Sequence, residues 1–104
     1  MSKRKRIPSD VLERDFQSKL VKELHSIFRG CVVLHNDAHY IQGIPDLIVL
    51  IGSKWFALEV KKSKNAKHRP NQDYYVSKMN EMSFARFIYP ENKEEILNEI
   101  QRSL

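Results

Sequence analysis

Two apolar runs separated only by Gly52 and Ser53 dominate the centre of the sequence, within GIPDLIVLIGSKWFALEVKK, Gly43 to Lys62. Short apolar runs bounded by turn residues predict paired strands, and Gly at the first central position suits a two-residue type II′ hairpin turn. With that turn Ile51 opposes Lys54, and counting back along both strands puts Asp46 directly opposite Glu59. Opposed side chains lie about 4.5–5.5 Å apart at Cβ, where like charges are destabilising. Strand alternation adds Lys61, two residues beyond Glu59, to the same face. A sheet built for stability alone has no reason to hold two carboxylates there.

A third acid comes from the first helix, predicted from a Ser9 cap to about Phe28 with Gly30 as its stop signal. Leu12, Phe16, Leu20, Val21, Leu24, Ile27 and Phe28 recur at helical spacing. At about 100° per residue Glu13 falls inside that apolar arc, and Gln17 shares the face one turn later. A buried carboxylate needs a cation, a metal or a shifted pKa. Three acids at one sheet end, with Lys61 their only local positive partner, point to a divalent cation held by oxygens, Mg²⁺ above all.

The remaining elements are easily ordered. CVVLH (31–35) predicts a strand and NDAHYIQG (36–43) a loop, followed by the strands Pro45 to Ile51 and Lys54 to Lys62. SKNAKHRPN (63–71) is a basic loop, and Pro70 opens a helix through QDYYVSKMNEM with Tyr75, Val76 and Met79 on one face. Tyr74 and Tyr75 are expected in the core, since aromatic residues at helical spacing mostly fill interiors. FARFIY (84–89) is a fourth strand, ended by Pro90, and NKEEILNEIQRSL forms a last helix around Ile96, Leu97 and Ile100. The order α-β-β-β-α-β-α predicts a compact α/β domain, a mixed four-stranded sheet flanked by helices.

At 104 residues the chain suits one domain with one modest core, and 41% hydrophobic with 30% charged residues excludes a disordered chain. No run approaches the roughly 18 to 20 apolar residues of a membrane span, and no apolar segment follows the basic start MSKRKRIPSD. With Cys31 as the only cysteine, these features lead us to expect a non-exported, cytoplasmic protein without disulfides. A net charge of +5 favours polyanionic partners. Residues 1–8 are expected to form a basic arm, either touching phosphates or simply solvated.

Pro45-Asp46, a hairpin, then Glu59-Val60-Lys61 resembles the signature of the PD-(D/E)xK nuclease superfamily. From about Val11 to Tyr89 the chain is similar to one branch, the virus-type replication-repair nuclease (VRR-NUC) domain. The similarity rests on a helix bearing Glu13, on G-x-P-D-L at Gly43 to Leu47, on E-V-K, and on a basic loop ending Arg69-Pro70-Asn71-Gln72. The resemblance implies a restriction-endonuclease-like fold over residues 9–104. It implies Mg²⁺ or Mn²⁺ held by Asp46, Glu59 and the Val60 carbonyl, with Glu13 acting directly or through water. Lys61 is implied to orient or deprotonate water or to stabilise the transition state, and Gln72 to position water or phosphate.

The implied activity is a DNA endonuclease that leaves 5′-phosphate and 3′-hydroxyl ends on branched or structured DNA. Junction-resolving enzymes of this kind work as homodimers in DNA repair and recombination, and a virus-encoded member would act in its host cell. Lys62, Lys64, Lys67 and Arg69 are expected to line the approach with positive charge, and His35 and Asn36, just before the motif, to contact substrate. Two other readings stand beside this one: a non-catalytic nucleic-acid-binding module on the same fold, and a structure-specific RNA nuclease. Cys31, His35 and His39 lack any standard zinc spacing, and His25 falls on the polar helical face.

Overall fold

Gly52 takes a φ of +61°, the left-handed conformation that a two-residue hairpin turn requires, and the strands on either side pair in the expected register. The computed structural model describes residues 7–104. The basic stretch at residues 2–6 lies outside the described residues, whereas Pro8 sits at the N-cap of the first helix. The elements are α1 (Ser9–Ile27), β1 (Val32–His35), β2 (Leu47–Ile51), β3 (Lys54–Val60), α2 (Gln72–Met82), β4 (Ala85–Ile88) and α3 (Lys93–Ser103). Their order is the predicted one.

The strands form one mixed sheet in the order β1-β2-β3-β4. The first two pairings are antiparallel; β4 lies parallel to β3, as the α2 crossover demands. The main core lies on one face, where Leu20 and Leu24 of α1, Phe28 at its C-cap, and Ile96, Leu97 and Ile100 of α3 meet Leu47, Val49, Phe56, Leu58 and Val60. On the other face Val76 of α2 packs on Ala57 and Ala85, joined by Ile48, Trp55, Met79 and Phe87. The small alanines let α2 approach closely. A 2.7 Å ion pair from Lys93 to Glu23 ties α3 to α1. Among the described residues no helix is long and apolar enough to cross a membrane.

Four details differ from the sequence-based expectation. Ser9 is the first helical residue and not the cap; its hydroxyl accepts a hydrogen bond from Lys62 Nζ. Leu12, at the edge of the apolar arc in the first turn of α1, and Ile27, its last residue, stay exposed because they lie at the two ends of the helix. Tyr74 is 57% exposed: successive helical residues point about 100° apart, so only Tyr75 turns toward the protein. The central strands are also shorter than predicted, and the cause of that shortening builds the site.

Candidate metal and catalytic centre

In the observed register Ile51 and Lys54 flank the turn as a hydrogen-bonded pair, so alternation makes 46 and 59 a non-hydrogen-bonded pair and 45 and 60 the next bonded one. Non-hydrogen-bonded pairs bring side chains closest together, which presses Asp46 against Glu59. The ladder then stops, for a chemical reason. Pro45 has no N–H to give the Val60 carbonyl, and its own carbonyl accepts from Asn36 Nδ2 at 2.7 Å. The Val60 N–H donates instead to Asp46 Oδ2 at 2.9 Å. One Asp46 oxygen is thereby anchored beside a carbonyl whose ladder donor is covalently absent.

Leu47, Leu58 and Val60 belong to the core beneath α1 and α3, so alternation turns Asp46, Glu59 and Lys61 to the α2 face. There Gln72, the first residue of α2, arrives from above. Its Nε2 donates to Glu59 Oε2 at 2.8 Å; its Oε1 accepts from Lys61 Nζ at 2.6 Å and from the Arg69 N–H at 2.7 Å. The Lys61 ammonium also reaches the Lys67 carbonyl at 3.2 Å and Glu59 Oε2 at 3.9 Å. Glu59, Lys61 and Gln72 are 2%, 4% and 7% exposed, so this charged network is interior.

The network leaves one atom out. Glu59 Oε1 is buried without a hydrogen-bond partner, alone in this among the described side chains. Burial and then the adjacent Asp46 carboxylate push the Glu59 pKa up to about 9, against the pull of Lys61. Burial likewise raises the Glu13 pKa, with Lys61 lowering it and Asp46 raising it further. A buried acceptor aimed at a second carboxylate, beside a freed backbone carbonyl, is an all-oxygen donor set that fits a hard divalent cation. Among the described residues, however, no three His, Cys, Asp or Glu side chains come close enough together to hold one ion. The reason is topological: α1 packs on the opposite sheet face, and Glu13 meets the pair only around the sheet end.

Glu13, Glu59, Lys61, Lys62, Lys67, Arg69 and Gln72 line one cavity of about 580 Å³. Of the cations expected along the approach, Lys62, Lys67 and Arg69 therefore border it. Lys64 does not, its N–H donating to Glu91 Oε2 at 3.2 Å. His35 pairs with Leu47, and its side chain meets Gln17 of α1 at 3.4 Å on the sheet face opposite the carboxylates. Asn36 braces the motif: its side chain holds Pro45, and its N–H donates to the Asp46 carbonyl at 2.8 Å. Gln72, expected to meet water or phosphate, has its amide committed to Glu59, Lys61 and the Arg69 backbone. Cys31 is buried, with His25 Nδ1 at 3.7 Å from Sγ, and shares no site with His35 or His39.

Two supporting roles escape sequence reasoning. Gly43 has φ +91°, and a Cβ there would lie 2.6 Å from Asn71 Cβ, so the glycine lets the Asp46 loop pack on the loop that carries Arg69 and Gln72. The His68 ring stacks on Phe87 with centroids 4.0 Å apart, and its Nδ1 lies 2.7 Å from Asp73 Oδ1. This fixes the basic loop between the two backbone groups that Lys61 and Gln72 use. Gly43 was visible as part of the motif, but its reason was not; His68 gave no signal. In comparisons with known proteins, no family model matches the chain and no curated protein matches it.

Proposed function

We propose that this chain is a metal-dependent DNA endonuclease of the PD-(D/E)xK type, related to the VRR-NUC branch. One observation carries the proposal: a fully buried glutamate with an unpartnered oxygen, Glu59, opposes Asp46 at the one place where Pro45 interrupts the strand ladder. Two carboxylates in that position are unfavourable without a cation.

Asp46, Glu59 and the Val60 carbonyl would hold Mg²⁺ or Mn²⁺, with Glu13 acting through water from the cavity wall. When bound, the ion supplies Lewis acidity and lowers the pKa of water, chemistry suited to phosphodiester hydrolysis. Asp46 keeps one oxygen on the Val60 N–H, so its carboxylate is oriented before any ligand arrives. Gln72 holds Glu59 in one rotamer and fixes Lys61 beside it. The Lys61 ammonium stabilises negative charge developing on phosphate or on an attacking water. Lys62, Lys67 and Arg69 draw the nucleic-acid backbone to the cavity.

Incubation with Mn²⁺ or Mg²⁺ and labelled four-way, flap and linear DNAs, with matching RNAs, tests the proposal. Cleavage of branched DNA to 5′-phosphate ends is expected, abolished by Asp46→Ala. Binding without cleavage of any substrate, unaltered by Asp46→Ala, would establish the alternative, a non-catalytic nucleic-acid-binding module. That alternative draws on the distance at which Glu13 stands from the carboxylate pair. Cleavage confined to the RNAs would make the enzyme a structure-specific RNA nuclease. Gel filtration with light scattering tests the homodimer that junction cutting requires.

A further inference from the structure

Across Arg69 from the carboxylate cleft lies a second cavity of about 410 Å³, between the 36–43 loop and the Pro70 turn. Its walls are held in place. The His39 N–H donates to Asp37 Oδ1 at 2.8 Å, the Tyr40 N–H donates to the Asp37 carbonyl at 3.1 Å, and Gly43 is packed against Asn71. In the cleft Glu59, Lys61 and Gln72 bond one another, whereas the side chains of His39, Gln42 and Arg69 make no hydrogen bond or ion pair with any described residue. Arg69 borders both cavities. Tyr40, on the same turn as His39, is 84% exposed.

We propose that this cavity seats one unpaired DNA nucleotide next to the scissile phosphate. His39 and Gln42 hydrogen-bond its base, and Arg69 holds the phosphate between the two cavities. The inference rests on the nuclease reading and deepens it by naming the substrate feature.

A guanidinium without a protein partner is a planar fork of donors matched to phosphate oxygens. His39 and Gln42 offer both donors and acceptors, which suit a base edge and have no use on a bare sugar-phosphate chain. The exposed Tyr40 ring, on the turn that carries His39, offers a surface on which a base can stack. A cavity of this size has room for one nucleotide, and a base inside a duplex must leave its stack to offer its pairing edge to His39 and Gln42. DNA with an unpaired nucleotide at the cut is therefore preferred, as at a flap or an opened junction.

The test is fluorescence anisotropy with a labelled 5′-flap DNA in Ca²⁺, replacing each nucleotide around the branch in turn by an abasic one. The wild-type chain should show one unpaired position at which base removal weakens binding roughly five- to tenfold. In a His39→Ala, Gln42→Ala double variant that position should become silent, with intact flap bound weaker by a similar factor and thermal melting unchanged. Arg69→Ala should weaken every substrate alike and reduce the salt slope by about one. Undiminished abasic sensitivity in the double variant would overturn the subsite, as would its absence in the wild type. DNA bound and cut with no sensitive position removes the subsite alone; a wild-type chain that binds no DNA of any shape removes the nuclease reading with it.

Discussion

Replacing Glu59 by Gln should make the protein more stable at neutral pH and nearly abolish one component of its pH dependence. In the folded chain the carboxyl titrates at about 9, against an ordinary value of 4.5. Below 4.5 it is protonated in both folded and unfolded chains and costs nothing. As pH rises from there the unfolded chain gives up the proton while the folded chain keeps it, so stability falls by up to about 1.4 kcal/mol per pH unit until the folded pKa is passed. By pH 7 the loss is about 3 kcal/mol, which for a domain this size corresponds to on the order of 10 °C or more in melting temperature.

The amide that replaces the carboxyl has nothing to ionise. Its carbonyl oxygen can still accept from Gln72 Nε2, and its NH₂ group replaces the unpartnered Oε1 beside Asp46. Urea unfolding followed by Trp55 fluorescence at pH 5, 7 and 9 in EDTA measures the effect. The wild-type midpoint should fall across that range and the variant's should change far less. Parallel curves would refute the reasoning, because they would show that Glu59 ionises in the folded protein as it does in the unfolded one.

Other consequences follow from the same geometry. Asp46→Asn keeps an acceptor for the Val60 N–H and removes the charge that opposes Glu59, so it should raise the melting temperature in EDTA; a clear loss would mark Asp46 as structural. Millimolar Mn²⁺ should raise the wild-type melting temperature and leave that variant unmoved, since an ion that binds only the folded state stabilises it. Lys61→Ala should lower cleavage at least about a hundredfold while far-UV circular dichroism is retained; wild-type rates would mean that the ammonium has no part in the reaction. Gly43→Ala should cost about 1–3 kcal/mol in urea unfolding, because φ +91° and the Asn71 contact both resist a side chain. For the basic loop, His68→Ala should speed hydrogen exchange over residues 63–70, and His68→Phe should restore part of the protection by keeping the Phe87 stack. Equal exchange in both variants would show that the stack holds nothing.

The hairpin was legible in the sequence because its determinants are local. A two-residue turn sets the register and the two-residue period of a strand sets the face, so Asp46, Glu59 and Lys61 could be brought together by counting. The element order followed from apolar periodicity for the same reason. Periodicity says which residues of one element share a side; it does not say where another element lands.

That limit explains each departure. The apolar arc of α1 correctly turned Glu13 inward, but only packing decided that α1 lies on the sheet face opposite the carboxylates. Tyr74 and Tyr75 looked alike in sequence, and the position of α2 on Ala57 and Ala85 exposed one of them. His35 and Asn36 adjoin in the chain, yet one touches Gln17 and the other braces Pro45. Counting along the chain was enough for the paired acids and their neighbour Lys61. Packing alone settled that Gln72 ties Glu59 to Lys61, that Gly43 meets Asn71, and that Arg69 stands between two cavities, because contacts between elements depend on how their buried faces fit together.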